Sequence, residues 1–286
     1  MTVLASSSFF QWWRLTRPWN VLAMGIMVGT VMHWQGVELR GLLHLGRVGW
    51  LLVPMLVGAG GNLINDYFDV REDRINKPDK ALVGRTVKRR VVMVTHWGFT
   101  VAALAWSAWL SSSVASLWPM VMTVLFAVVL SLYSPLLKGR GAWGNVAISI
   151  CVAGLVVWGG LASAHADSGF LPSSLTWAMA GVLGGLNLLR EWVKDVQDMV
   201  GDRAARHRTL ALRLSASQNR WGLVTGCVAG MASTLGWLTL ADRPLWAMAL
   251  SGCTGLVCVW RAWSENPRSL SAWIKVWMGS LFLALM

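Results

Sequence analysis

The sequence is short of charge. Only 13% of its 286 residues are Asp, Glu, Lys or Arg, where a soluble globular domain carries roughly 25%. That shortage, together with 55% hydrophobic residues, excludes an ordinary soluble domain and points to a chain that lives in lipid. Cysteine is also scarce. Cys151, Cys227, Cys253 and Cys258 all lie in apolar stretches and form no CxxC pair, which argues against a zinc site, a disulfide scaffold and thiol redox chemistry. His33, His44, His96, His165 and His207 show no metal-ligand spacing. Acids number 13 against 25 Lys and Arg, a net charge of +12. An excess of that size can mark a nucleic-acid binder. Here, however, the basic residues crowd into segments between apolar runs, where positive charge sets membrane topology and meets anionic lipid. No nucleic-acid partner is expected.

What the chain has in abundance is long apolar runs. About nine are long enough, or nearly so, to cross roughly 30 Å of hydrocarbon, at approximately 18–36, 48–68, 91–110, 115–136, 142–163, 171–193, 220–240, 244–262 and 269–286. Only helices or a closed barrel satisfy the backbone in lipid, and the runs lack the alternating polarity of barrel strands. The expected fold is therefore an all-α polytopic membrane protein. The 20 tryptophans, among them Trp12, Trp13, Trp19, Trp34 and Trp50, flank many spans as interfacial anchors. With the N-terminus in the cytoplasm, only Arg40, Arg47 and Arg243 of the 25 Lys and Arg fall on the opposite side, and Lys275 falls within the last span. That asymmetry sets the expected orientation. No small-residue cleavage site follows the first span, so a cleaved signal peptide is not expected.

Two stretches break the apolar pattern. In Asn62–Asp73 three carboxylates, Asp66, Asp69 and Asp73, stand at i, i+3 and i+7. On a helix they share one face, with Asn62 a turn earlier. Asp195, Asp198 and Asp202 repeat the spacing, with Glu191 a turn earlier. These six residues are nearly half of the chain's 13 acids. Carboxylates this close repel unless a cation lies between them, and oxygen-only donors suit Mg²⁺ or Ca²⁺ rather than zinc. Two acidic helix ends that grip a diphosphate through Mg²⁺ are the expected site. By the charge count both lie on the cytoplasmic side, ending the second and sixth spans. The same offset separates Asp66 from Asp195 and Asp73 from Asp202, which suggests two pseudo-repeated four-helix halves, about 15–140 and 141–265, plus a ninth helix. Gly58, Gly60 and Gly61, and Gly181, Gly184 and Gly185, are expected to serve close helix packing on the two acidic helices.

These motifs resemble the signature of the UbiA-type intramembrane prenyltransferases. The first motif is Asn65-Asp66-Tyr67-Phe68-Asp69 continuing to Asp73; the second is Asp195, Asp198 and Asp202. Other matching positions are Arg17-Pro18 with Asn20, Asn76-Lys77-Pro78, Tyr133-Ser134 with Leu137-Lys138, and Gly144-Asn145. The likeness covers essentially the whole chain and implies a bundle of about nine helices with a central cavity. Within the superfamily the motifs look most like the digeranylgeranylglyceryl phosphate synthase branch, which moves a geranylgeranyl group from its diphosphate to the hydroxyl of a prenylated glycerol phosphate. One departure is that Asp79-Lys80-Ala81 stands after Pro78, where the family often carries a further Arg-Pro.

The resemblance implies Mg²⁺-dependent prenyl transfer, with two ions expected and Mn²⁺ as an alternative. The metal ligands are then Asn62, Asp66, Asp69, Asp73, Asp195, Asp198 and Asp202. Lys77, Arg74, Lys138, Arg190 and Lys194 are candidates for the diphosphate oxygens, beside Asn62, Asn65, Arg17 and Asn20. Tyr133 is a candidate to stabilise the allylic cation. Asn145 and Asn187 suit helix–helix hydrogen bonds equally well. Arg203, Arg206 and Arg208 suit either an acceptor phosphate or lipid headgroups. The partners are an isoprenyl diphosphate donor, a lipophilic acceptor and membrane lipid, in the cytoplasmic membrane with both acid-rich loops facing the cytoplasm. An aromatic acceptor is the alternative substrate. A membrane carrier binding metal or diphosphate is the alternative class. The DG…AR pattern of a cytidine-diphosphate-alcohol phosphotransferase is missing.

Overall fold

The apolar runs fold as helices, described in a computed structural model over residues 8–76, 78, 81–164 and 172–286. In chain order they are α1 (Ser8–Leu15), α2 (Pro18–Trp34), α3 (Leu45–Phe68), α4 (Val70–Asn76), α5 (Arg89–Ser113), α6 (Trp118–Leu132), α7 (Trp143–Ala164), α8 (Ser174–Ala204), α9 (Leu210–Arg213), α10 (Ala216–Leu240), α11 (Leu245–Trp263) and α12 (Pro267–Leu283). A π-helical turn, Tyr133–Leu137, ends α6. The two strands among the described residues are two-residue pieces, β1 (Arg140–Gly141) and β2 (Arg208–Thr209), paired in parallel.

Among the described residues six helices are long and apolar enough to cross a membrane: α3, α5, α6 with its π turn, α7, α10 and α11. Of the other helices on expected spans, α2 and α12 have 17 residues each. Helix α8 runs for 31 residues and carries the second acidic motif in its last third. Apolar side chains of α6 such as Val121, Leu125, Val128 and Leu132 stand exposed, as expected of a surface that meets hydrocarbon rather than water.

The chain divides into two units, one formed by Leu43–Leu136 with the chain up to Ile26, the other by Met27–Leu42 with Leu137–Met286. In the first unit α3 packs against α5 and α6. Three of its glycines allow close approaches, to α5 and α6 and also to α2. A Cβ on Gly58 would meet the Met24 sulfur at 2.3 Å, one on Gly61 would meet Leu130 at 2.8 Å, and Gly60 lies against His96 of α5. The buried His96 ring sits 3.0 Å from the Gly60 carbonyl through Nδ1. Leu15, Leu63, Val83, Val87 and Val92 close the core beneath the first acidic motif.

The second unit is built around α8, which packs against α7, α10 and α12. Ser173 starts it by accepting the Thr176 N–H at 3.2 Å, a side-chain cap for an otherwise unpaired donor. Met179, Leu183, Leu186 and Val193 are buried. Of the expected packing glycines on this helix, Gly184 lies close to a neighbour, with a Cβ there 3.2 Å from Ala153 of α7, whereas Gly181 and Gly185 face open space. Two buried tryptophans of this unit find polar partners, as indole N–H groups usually do in an apolar interior. Trp277 donates to Ser251 at 3.0 Å and Trp237 to the Leu175 carbonyl at 3.0 Å.

Candidate active site

Each acidic motif sits on the helix around which its own unit is built. In the first, α3 ends at Phe68, and Asp69 takes the break before α4 with φ −80° and ψ 11°. The break is shallow. The Asp69 N–H still bonds the Asn65 carbonyl and the Asp73 N–H the Asp69 carbonyl, both at 2.9 Å, so helical hydrogen bonding carries the motif through. Asp69 is buried, at 5% exposure. A buried carboxylate needs donors, and Asn65 supplies one, its amide donating to Asp69 Oδ2 at 2.9 Å. Asn65 is itself fixed by the Ser134 hydroxyl, which donates to its Oδ1 at 2.7 Å.

Asp66 forms an ion pair with Arg17. Arg17 lies between α1 and α2 in the left-handed region, φ 53°, directly before Pro18. That conformation costs a non-glycine residue about 1–3 kcal/mol, so the surrounding contacts impose it. Desolvation works against its charge, but attraction to Asp66, a hydrogen bond to it, and weaker attraction to Asp73 and Asp69 together hold its pKa above the ordinary guanidinium value. Asp66 and Asp73 open onto a small cleft also lined by Leu15, Val70, Ala81, Leu82 and Val83. Asn62, expected as a metal ligand, turns its amide to the Thr16 carbonyl at 3.0 Å. It thereby anchors the segment that carries Arg17.

In the second motif Asp195 accepts from the Asn145 amide of α7 at 2.8 Å. Asp202, at 3% exposure, faces the His207 ring, with Nδ1 and Oδ1 3.6 Å apart. Glu191, also buried, takes Arg190 at 2.9 Å and Lys194 at 2.6 Å. Two of the cations expected on the diphosphate are thus engaged by a carboxylate of their own helix. Asp198 is half-buried on the same helix.

Of the other expected residues, Tyr133 opens the π turn and Lys138 follows it, both partly buried. Asn20 is exposed in the first turn of α2, and Lys77 lies outside the described residues. Asn187 is buried and donates to Ser149 at 3.4 Å, a helix–helix bond. Sequence reasoning assigned nothing to Ser134 or His207. Ser134 stands 69 residues from Asn65, and no spacing rule links them.

The donor set fits a hard divalent cation. It consists of carboxylate and amide oxygens, with no thiolate, and that is the chemistry Mg²⁺ selects. Among the described residues no three His, Cys, Asp or Glu side chains already converge on one point. Mg²⁺ does not need that, since it binds through one or two carboxylates and completes its shell with substrate phosphates and water.

The model of the UbiA prenyltransferase family matches residues 22–286. Curated relatives include the digeranylgeranylglyceryl phosphate synthase of Methanothrix thermoacetophila, 28% identical over 274 residues, 95% of this chain and 96% of that one. The enzyme of the same name from Methanoregula boonei is 33% identical over 204 residues, 70% of this chain and 67% of its own. Among solved structures, one of a digeranylgeranylglyceryl phosphate synthase in membranes superposes with a TM-score of 0.67 at 21% identity over 98% of each chain. A homologue from Archaeoglobus fulgidus bound to DMAPP and Mg²⁺ superposes at 0.63 with 15% identity, covering 96% of this chain and 99% of that one.

Proposed function

We propose, from the premise that this chain belongs to the UbiA prenyltransferase family, that it moves a prenyl group from an isoprenyl diphosphate to the free hydroxyl of a prenylglyceryl phosphate within the membrane. Membership makes the chain an integral membrane protein and a prenyltransferase. The acceptor rests on the relatives named for that synthesis at 28% and 33% identity. The donor and the metal are supported by the homologue described with DMAPP and Mg²⁺.

One observation carries the reading. Each unit is organised around a helix bearing an acid triad, and in each an asparagine amide orients a carboxylate of that triad, Asn65 on Asp69 and Asn145 on Asp195. In the proposed reaction the allylic C1–O bond breaks, the diphosphate leaves with the electron pair, and the acceptor oxygen bonds C1 and loses its proton. The two triads would hold magnesium, two ions or Mn²⁺ in their place, which would supply Lewis acidity toward the leaving group. The chain's own part is to hold the six aspartates in position, with Asn65 and Asn145 fixing carboxylate orientation. Arg17 places positive charge at the first triad and Lys138 adds it to the second unit. Charge of this sign is what a departing diphosphate requires. Tyr133 is assigned to the cation, and a central cavity lined by apolar side chains is assigned to shielding it from water.

The N-terminus and both acid-rich loops are assigned to the cytoplasm on charge asymmetry. About nine crossings, in two pseudo-repeated halves plus a final helix, complete the architecture. The test of function is mass spectrometry of products from purified protein given Mg²⁺, geranylgeranyl diphosphate and a panel of acceptors. A mass gain of one prenyl unit on prenylglyceryl phosphate is expected. Prenylation of a hydroxybenzoate or naphthoate with the glyceryl phosphate left untouched would overturn the acceptor and leave the prenyl transfer standing.

A further inference from the structure

The loop that leaves α6 and the loop that leaves α8 are joined by the parallel bridge of β1 and β2, which pairs Arg140 with Arg208 and Gly141 with Thr209. The Arg208 N–H bonds the Gly139 carbonyl at 2.8 Å. The bridge collects positive charge. Arg140, Arg208 and Arg213 are all exposed, and among the described residues none of them has a carboxylate partner. Neither 137–149 nor 203–215 contains an acid.

Two details point to a site for an oxygen-rich ligand. Thr209 precedes α9 at a position where a threonine hydroxyl ordinarily caps the helix, yet it caps nothing. Its Oγ1 is buried without a hydrogen-bond partner, in a residue 3% exposed, where polar groups are nearly always satisfied. Opposite it, Gly141 has φ +69°, and a Cβ there would stand 3.5 Å from Arg213 Nη1 and 3.6 Å from its Cζ. The guanidinium therefore lies against the bare glycine backbone, beside the start of α7 two residues on, whose first N–H groups have no acceptor within the helix.

We infer that this bridge is a phosphate subsite in which Arg213, the Thr209 hydroxyl and the first turn of α7 hold a phosphomonoester, with Arg140 and Arg208 flanking it, and that its occupant is the headgroup phosphate of the acceptor. A dianionic monoester has the oxygens to take a guanidinium fork, a hydroxyl and backbone N–H groups together. The subsite adjoins the second triad. Asn145, four residues beyond Gly141, bonds Asp195 at 2.8 Å, and His207, beside Arg208, faces Asp202. A phosphate held here brings its lipid to that triad. The assignment rests on the proposed prenylglyceryl phosphate acceptor, and it moves phosphate binding from Arg203 and Arg206, which are exposed at the end of α8, to Arg213 and Thr209.

The first arm of the test needs neither variants nor turnover. The full-length protein in neutral-lipid nanodiscs is treated with phenylglyoxal, with and without glycerol phosphate, and modified arginines are mapped by mass spectrometry. Glycerol phosphate is expected to protect Arg213 at least fivefold and Arg203 not at all. Equal modification of both overturns the subsite whatever the acceptor proves to be. The second arm is kinetic. Thr209→Val and Arg213→Gln are expected to raise KM for the prenylglyceryl phosphate about tenfold, as loss of a ground-state contact does, with KM for the prenyl diphosphate within twofold. If protection is seen but acceptor KM is unmoved, and the variants instead lose a phosphatidylglycerol retained in native mass spectrometry, the phosphate belongs to a bilayer lipid and the acceptor assignment is overturned. Protection together with no activity on any prenylglyceryl phosphate would sink the proposed acceptor while leaving the phosphate site in place.

Discussion

Asn145 on α7 donates its side-chain amide to Oδ2 of Asp195 on α8 at 2.8 Å, tying the two helices at the second acid triad. An amide so placed fixes which oxygen of the carboxylate faces outward. Groups that orient a metal ligand typically change metal affinity or activity 10- to 100-fold when removed. Asn145→Leu is therefore expected to cut activity by about 10- to 100-fold and to raise the Mg²⁺ concentration at half-maximal rate. An unchanged Mg²⁺ titration with only a lower Tm would reduce the bond to a helix–helix contact.

Arg17 is expected to bind the donor. Its pair with Asp66 holds a positive charge at the first triad, and the strained backbone at φ 53° shows that its position is imposed by its surroundings. Arg17→Ala should raise the KM for the prenyl diphosphate about tenfold, the scale of one charge-assisted hydrogen bond, and leave the acceptor KM unchanged. Arg17→Lys should recover only part of the loss, because a point charge does not replace a planar fork. Equal effects on both substrates would count against a donor role.

Metal removal gives the most direct check on the triads. Dialysis against a chelator should abolish turnover, and Mg²⁺ or Mn²⁺ should restore it, because the donor set is oxygen-only. Zn²⁺ should restore it poorly. Full turnover in metal-free buffer is incompatible with the triads as metal ligands.

Topology is read by labelling. With Cys151, Cys227, Cys253 and Cys258 replaced, single cysteines at Arg85 and Arg206 should react in intact cells only with a membrane-permeant thiol reagent. Charge asymmetry is the reason for assigning each position to a cytoplasmic loop. Reaction of both with an impermeant reagent would invert the assigned orientation.

By itself the sequence determined that this chain is a helical membrane protein with two acid triads. Both properties are written in periodicities no longer than a helix turn or a bilayer crossing. The spacing of Asp195, Asp198 and Asp202 puts them on one helix face, and α8 carries them unbroken. Partner choice was decided only by the tertiary structure. Arg190 and Lys194 look alike as free phosphate binders in the sequence, yet buried Glu191 takes both. Asn62, placed a turn before the triad, also ties down Thr16 through its amide N–H. Asn145 meets Asp195 across 50 residues and Ser134 meets Asn65 across 69. The reason is that buried polar groups are nearly always paired. Which partner it finds depends on how helices cross, through close approaches such as Gly61 on Leu130, and no local pattern encodes that.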